Sequence, residues 1–427
     1  MQGSAPTQDD ALSLAKPATA GTVRPPDPSP RSLRGLDWFI FFVADVQTGF
    51  GPFVSLYLTT QKWTQVDIGL VLSAGGLVSL AGQIPGGMLV DAARSERLVA
   101  GFAISAIAAS AFAYAAWPFF PVILAAAVLH AAASCMLGPA MAAISLGLVG
   151  HTRIGERLGR NARFASVGNG LAAAVMGTLA HFLSAPRVVF IVTVALLGPA
   201  LLALGLISPR EIDADSCHGG KPLPPVKPLT TEILHLLRKR PLLILAGCVM
   251  LFHLANAAML PLMAGVLTTR SGDLATVFVA ACMVGPQVIV AMFSPWVGRK
   301  ASAWGRRPLL LIAFATVPVR GLLFGLVTNP YLLIAVQLLD GIAGAVLAVT
   351  VTLIVVDMTR GTGHFNLGQG IVGTTMGIGA SLSPTLAGYL SDRFGSATAF
   401  FGLAAIAAVG LAAVWALMTE TRPAENE

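Results

Sequence analysis

The sequence predicts an all-α polytopic membrane protein, with twelve transmembrane helices in two pseudo-symmetric six-helix halves. Three observations predict it. Of 427 residues, 55% are hydrophobic and 11% charged, with 45 glycines, a composition too apolar for a soluble chain of this length. Apolar runs of about 20 residues, the length that crosses a bilayer, recur along the chain. Lys and Arg concentrate in alternate loops, as expected when basic residues are retained on the cytoplasmic side during insertion.

The apolar runs place spans at 36–58, 66–90, 98–117, 120–149, 164–183, 188–207, 242–267, 274–297, 308–328, 331–356, 369–390 and 397–418. With both termini cytoplasmic, 22 of the 27 Lys and Arg residues fall in cytoplasmic segments; Lys62, Arg187, Arg270 and Arg393 fall outside, and Arg320 lies within a span. The net charge of +7 is thus a topology signal, and no nucleic-acid partner is implied. The chain is expected in a bacterial-type inner (plasma) membrane, in contact with lipid.

Residues 1–35 contain Pro25, Pro26, Pro28 and Pro30 and no apolar core, so a disordered cytoplasmic tail is expected rather than a signal peptide. The first half is 36–207 and the second 242–418, followed by a tail, 419–427. Between the halves, 208–241 is a Pro-rich cytoplasmic linker ending in the amphipathic TEILHLLRKR, expected as a short surface helix. Cys135, Cys248 and Cys282 fall in spans and Cys217 in the linker, so no disulfide framework is implied. An internal repeat supports the division: Gly87 and Gly298 are 211 residues apart, and Pro52/Pro261, Gly168/Gly377 and Gly170/Gly379 are each 209 apart.

Asp45, His130, His253 and Asp340 each lie near the middle of an apolar run, where an ionisable group costs about 3 kcal/mol or more. Counted from the span ends, each sits roughly 13–16 Å deep, near the midplane. Gln47 and Thr48 follow Asp45, Asn256 shares a helix face with His253, and Gln83, Gln287 and Gln337 add amides on neighbouring spans. Arg320 shares a depth with Asp340 on adjacent antiparallel spans, so a buried ion pair is expected. That pair makes Asp340 either structural or a gate element that exchanges Arg320 for His130. It leaves Asp45, with no basic residue near it in sequence, as the proton carrier.

Two loops carry a further pattern. After Gly87 the chain reads GMLVDAARSER, keeping a Gly and Asp91; after Gly298 it reads GRKASAWGRR, keeping Gly305, Arg306 and Arg307 with Ser302 at the acidic position. These resemble the Gly-x-x-x-Asp-Arg-x-Gly-Arg-Arg type loop of the major facilitator superfamily, each half preserving what the other has lost. The resemblance covers roughly 36–420. It implies a cytoplasmic gate in which Asp91 sits against the N-terminus of helix 11 near Leu367–Gln369, where exposed N–H groups favour an anion, and Asp357 pairs with Arg306 or Arg307. It also implies that helices 1, 4, 7 and 10 line a central cavity, which places Asp45, His130, His253 and Asp340 one on each. Helix 5 lacks the Gly-Pro motif of family antiporters.

The expected function is secondary active transport of a small organic molecule, proton-coupled and directed outward, by alternating access around a midplane site. Two alternatives stand beside it: export of a transition-metal ion through the His and Asp residues, and a non-transporting sensor or scaffold. No nucleophile constellation or phosphate-binding loop is present, so no enzyme activity, cofactor or resident metal is expected. The expected partners are membrane lipid, the substrate and protons, for a chain acting as a monomer.

Overall fold

The structure, a computed structural model, describes residues 28–48, 54, 57–182, 187–219, 239–271 and 275–422. These residues form helices and connecting turns, with no strand among them. In the first half, α1 is Pro30–Thr48, α2 Gln65–Asp91 and α3 Glu96–Ala116. A helical run from Phe120 to Phe182 breaks at Gly150 (φ 66°, ψ 176°) into α4 (120–149) and α5 (151–182), and α6 is Val188–Gly205. In the second half, α7 comprises two segments, Arg240–Asn256 and Met259–Ser271. α8 is Ala275–Trp304, α9 Arg306–Leu326, α10 Pro330–Thr359, α11 Phe365–Phe394 and α12 Ser396–Leu417.

Among the described residues, nine helical stretches are long and apolar enough to cross a membrane, that at Phe120–Met176 containing the Gly150 break. α1 and α11 fall outside these nine. Arg31, Arg34, Asp37 and Asp45 lower the hydropathy of α1, and α11 is rich in Gly, Ser and Thr. The side chains of Asp45 and Gln47, residues 1–27 of the expected tail, residues 49–53 and 55–56 of the first predicted span and most of the TEILHLLRKR segment lie outside the described residues, whereas residues 30–35, expected to belong to the disordered tail, form the first turns of α1.

Several expected boundaries shift. The segment 150–163, expected as a loop, is helical from residue 151, and α8 continues through Gly298 to Trp304. Hydropathy marks where a helix leaves hydrocarbon, whereas the helix itself ends only at a breaker: Gly150 and Gly305 (φ 93°) have backbone conformations that other residues rarely adopt. The expected single span 242–267 is interrupted at Ala257–Ala258. Pro261, lacking an N–H and crowding the carbonyl four residues earlier, disrupts the ladder there. Ser383 Oγ on α11 accepts a hydrogen bond from the Ala258 amide (3.0 Å).

Small residues bring the backbones together, since lipid offers no hydrophobic drive for helix association. Gly168 on α5 lies against the Phe41 carbonyl on α1, and Gly379 on α11 against the Met250 carbonyl on α7. Two such seams join the halves. Between α2 and α11, Gly87 abuts Asn366 and Gly370 abuts Gln83; a Cβ on Gly370 would lie 3.0 Å from Ile84 Cα. Between α5 and α8, Gly155 meets Gly298 and Gly159 meets Ser294; a Cβ on Gly159 would lie 3.1 Å from Pro295 Cα. Both seams lie toward the end of the bundle bearing Asp91, Arg306 and the short connections rich in Lys and Arg, hereafter the basic end.

The segment after α6 crosses this end. Glu211 accepts from the Ser29 amide (2.8 Å), next to the start of α1, and the Asp213 amide donates to the Gly147 carbonyl (3.0 Å). Cys217 is fully buried, and the Gly219 carbonyl accepts from the Gly361 amide of the second half. The linker is therefore docked on both halves over residues 208–219.

A Gly168→Ala substitution places its Cβ 3.1 Å from the Phe41 carbonyl carbon, whereas at Gly170 nothing lies within 4 Å. Gly168→Ala is expected to cost about 1–3 kcal/mol through overpacking and to lower the melting temperature in detergent, with Gly170→Ala leaving it unchanged or raised.

Candidate functional site

A cavity of about 520 Å³ lies between the halves, lined chiefly by α7, α8, α10 and α11, with Gln83 of α2 and Gly138, Pro139 and Ala142 of α4. Its polar lining comprises Gln83, His253, Asn256, Gln287, Asp340, Thr352 and Gln369. Of the ionisable residues expected near the midplane whose side chains are described, His253 and Asp340 line it. His130 is half-buried on α4 and is not among the lining residues.

The second half builds one polar network. Arg320, on α9 and 1% exposed, forms an ion pair with Asp340 of α10 and donates to the Asn256 side-chain carbonyl of α7. Asn256 Nδ2 donates in turn to Asp340 Oδ1 (3.2 Å), and Gln337 Nε2 lies 3.4 Å from Oδ2. Met259 Sδ stands 3.4 Å from the guanidinium, and Arg320 packs 5.8 Å from the Phe324 ring centre. The guanidinium is thus sealed behind the carboxylate, whose side chain is 29% exposed. The charge that meets the cavity is negative, and its counter-charge lies in the wall.

His253 Nδ1 lies 2.9 Å from the Val249 carbonyl. A carbonyl only accepts, so Nδ1 carries the proton and Nε2 of this cavity-lining ring is the nitrogen able to take another. Phe252 lines the cavity beside it. Trp38 on α1 is half-exposed and packs on Phe41, Phe42 and Phe164, away from the cavity lining. Among the described residues, no three His, Cys, Asp or Glu side chains group closely enough to hold a metal ion.

At the basic end each half uses a different device. Asp91, 3% exposed, accepts from the amides of Asn366 (3.1 Å) and Leu367 (2.8 Å) and from Asn366 Nδ2 (2.8 Å). An anion from one half thereby caps the N-terminus of α11 in the other. In the second half, Arg306 holds Asp357 at 2.9 Å. Arg307 donates to the Trp415 carbonyl, and the N-terminus of α9 after Gly305 is capped by Glu420, which accepts from the amides of Arg306 (2.8 Å) and Arg307 (3.1 Å). The copy with Ser302 in the acidic position thus receives its carboxylate from the segment after α12.

Sequence reasoning missed Glu420, Asp37 and His218. Asp37 on α1 pairs with Arg157 (2.5 Å) and Arg160 of α5. His218 of the linker lies 3.7 Å from Asp91 and 3.4 Å from Glu96. All three come together with partners more than 100 residues away in sequence, so no local pattern marks them. Asp91 first, against burial, and then Glu96 and Asp215 raise the pKa of His218 above the usual histidine value. Burial, followed by Glu96 and Asp213, pushes the Cys217 thiol well above its own.

Two outcomes are expected. Arg320→Gln leaves Asp340 without its counter-charge and should cost about 3 kcal/mol or more, whereas Arg320→Gln with Asp340→Asn should recover much of the loss; thermal melts of the two variants check this. A raised His218 pKa means that docking of the linker is fully favoured below the undocked value near 6.5 and weakens as pH rises through the raised value. In a background whose only cysteine is Cys217, thiol labelling should be faster in His218→Gln than with His218 present at pH 6, and the ratio should fall toward one in alkali. A ratio independent of pH would contradict it.

The profile of the Major Facilitator Superfamily matches residues 38–285 and 273–427. An MFS-type transporter of Mycobacterium tuberculosis (strain H37Rv) is 39% identical over 403 residues, covering 92% of this chain and 94% of the relative. The class B tetracycline resistance protein of Escherichia coli is 30% identical over 101 residues, 24% of this chain and 25% of that protein. Among solved structures, a variant of the E. coli fucose:proton symporter FucP superposes with a TM-score of 0.68 at 18% identity, over 90% of this chain and 98% of that one, which bears on the fold alone. With the helical bundle, the cavity and the loop motifs, these matches identify the chain as a member of the major facilitator superfamily of secondary transporters.

Proposed function

We propose that the protein is a proton-coupled transporter that exports a small organic molecule by alternating access, from a bacterial-type inner membrane with both termini in the cytoplasm. One observation carries the proposal: a cavity between two halves closed at one end holds an acidic group whose counter-ion, Arg320, comes from a neighbouring helix. Such a pair is worth its desolvation where its partners change between states. The basic end is the cytoplasmic one by its charge, and likeness to a protein named for tetracycline resistance supports the outward direction.

In this scheme residues 36–207 and 242–418 move as two bodies joined by 208–241. Asp340 is engaged by Arg320, Asn256 and Gln337, which makes it a gate element. Asp45 of α1, followed by Gln47, then carries the proton. His253 shares that proton or binds substrate through Nε2, and His130 is the alternative partner of Asp340 once the halves have moved. Gly87, Asp91, Gly298, Gly305, Arg306, Arg307 and Asp357 form the cytoplasmic gate: the glycines permit the close approach, and the charges hold it until protonation or substrate shifts the balance. The chain acts as a monomer, since each half finds its mate within it.

The test uses purified protein in liposomes loaded with a pH dye, challenged with organic acids, cationic drugs and divalent metals. A proton flux evoked by one organic compound and abolished by Asp45→Asn is expected. Transport without pH change and unaltered in Asp45→Asn would overturn proton coupling, and flux evoked by divalent metals alone would overturn the organic substrate.

A further inference from the structure

We infer that the α5–α8 seam carries a binding site for an anionic phospholipid, whose phosphate sits in a basic pocket spanning both halves. The pocket, about 500 Å³, is lined by Glu156, Arg160, Arg163 and Phe164 of α5 and by Pro295 and Arg299 of α8. It lies beside the crossing where Gly155 meets Gly298 and Gly159 meets Ser294. One wall therefore belongs to each half.

Its charge is built from behind. Asp37, 2% exposed, is shared by Arg157, which is 4% exposed, and Arg160, which is 54% exposed. Arg157 Nε donates to Asn161 Oδ1 (2.6 Å), and Asn161 Nδ2 to Ser145 Oγ (2.7 Å), so the backing is fixed. A single buried carboxylate thus answers two guanidiniums. Arg163 and Arg299 add two more against Glu156. Counting Arg157, Arg160, Arg163 and Arg299 against Asp37 and Glu156 leaves an excess of two positive charges. Basic pockets between helices at the membrane surface favour phosphate headgroups.

The surroundings select a lipid over a free anion. Trp38, half-exposed, packs on Phe164 at 6.2 Å, and Trp304, also half-exposed, sits edge-on to Trp296 with Lys300 4.9 Å above its ring. Tryptophans and basic side chains of this kind mark the headgroup level. From the pocket toward the bilayer centre, Arg163 is followed at four-residue steps by exposed Val167, Leu171 and Val175 on α5, and Met292, Val288 and Val284 form a matching exposed stripe on α8. A headgroup in the pocket thus has apolar tracks for its acyl chains. The site belongs to the leaflet at the basic end; only the name of that leaflet rests on the orientation proposed above.

The full-length protein in detergent, titrated with dioleoylphosphatidylglycerol, dioleoylphosphatidylcholine or inorganic phosphate and followed by native mass spectrometry and thermal melting, tests the site. Phosphatidylglycerol is expected to bind and raise the melting temperature, with phosphatidylcholine doing neither. The double variant Arg163→Gln/Arg299→Gln, at two exposed positions, is expected to keep the lipid-free melting temperature and bind phosphatidylglycerol about 30-fold more weakly. Should the double variant fail to fold, Arg163→Gln alone is expected to weaken binding about fivefold. Equal binding of the two lipids, or unchanged affinity in the folded variants, overturns the inference. Stabilisation by phosphate equal to that by phosphatidylglycerol also overturns it, since the pocket would then be a site for small anions.

Discussion

A charge without a partner in hydrocarbon costs several kcal/mol, and the architecture follows from meeting that cost. Arg320 is the severest case, nearly inaccessible and inside an apolar helix, and it is met by Asp340 and Asn256 from two other helices. Those contacts fix the mutual rotation of α7, α9 and α10 and bring the carboxylate to the cavity wall. The same rule operates at the basic end, where Asp91 finds helix N–H groups and Arg306 finds Asp357. In the proposed transport cycle these are the pairings that change between states.

The two loop copies solve one problem with unlike chemistry. Asp91 reaches across the seam between halves, whereas the Arg306–Asp357 pair and the Glu420 cap lie within the second half. Breaking the first separates the halves directly; breaking the second loosens α9 and α10 where they meet. The docked linker adds His218 to the cross-half contact, so the connection between the halves is itself part of the closed end. Gly87 and Gly370 on one seam, and Gly155 and Gly159 on the other, let the backbones come close enough for these short contacts.

Much of the fold was legible because lipid imposes length and polarity on every span. The Arg320–Asp340 contact was legible too, since antiparallel neighbours of known depth share a register. What escaped the sequence has two physical origins. Helix ends beyond the hydrocarbon, such as the start of α5 and the end of α8, are set by glycine conformation and not by hydropathy. Contacts made by tertiary packing, such as Asp37 with Arg157, Glu420 with the α9 amides and His218 with Asp91, have no periodic signature. The cavity is also asymmetric: its described polar lining comes mainly from the second half, whereas the sequence distributed its titratable groups evenly.

Closure of the basic end rests first on Asp91, which joins α2 of one half to the N-terminus of α11 in the other. Spin labels at exposed positions 94 and 360, on opposite sides of the α2–α11 seam, read it directly by pulsed electron-electron resonance in lipid nanodiscs. One short distance is expected in the closed state, with a second, longer population that grows in Asp91→Asn. A single short distance, unchanged by Asp91→Asn, would contradict it.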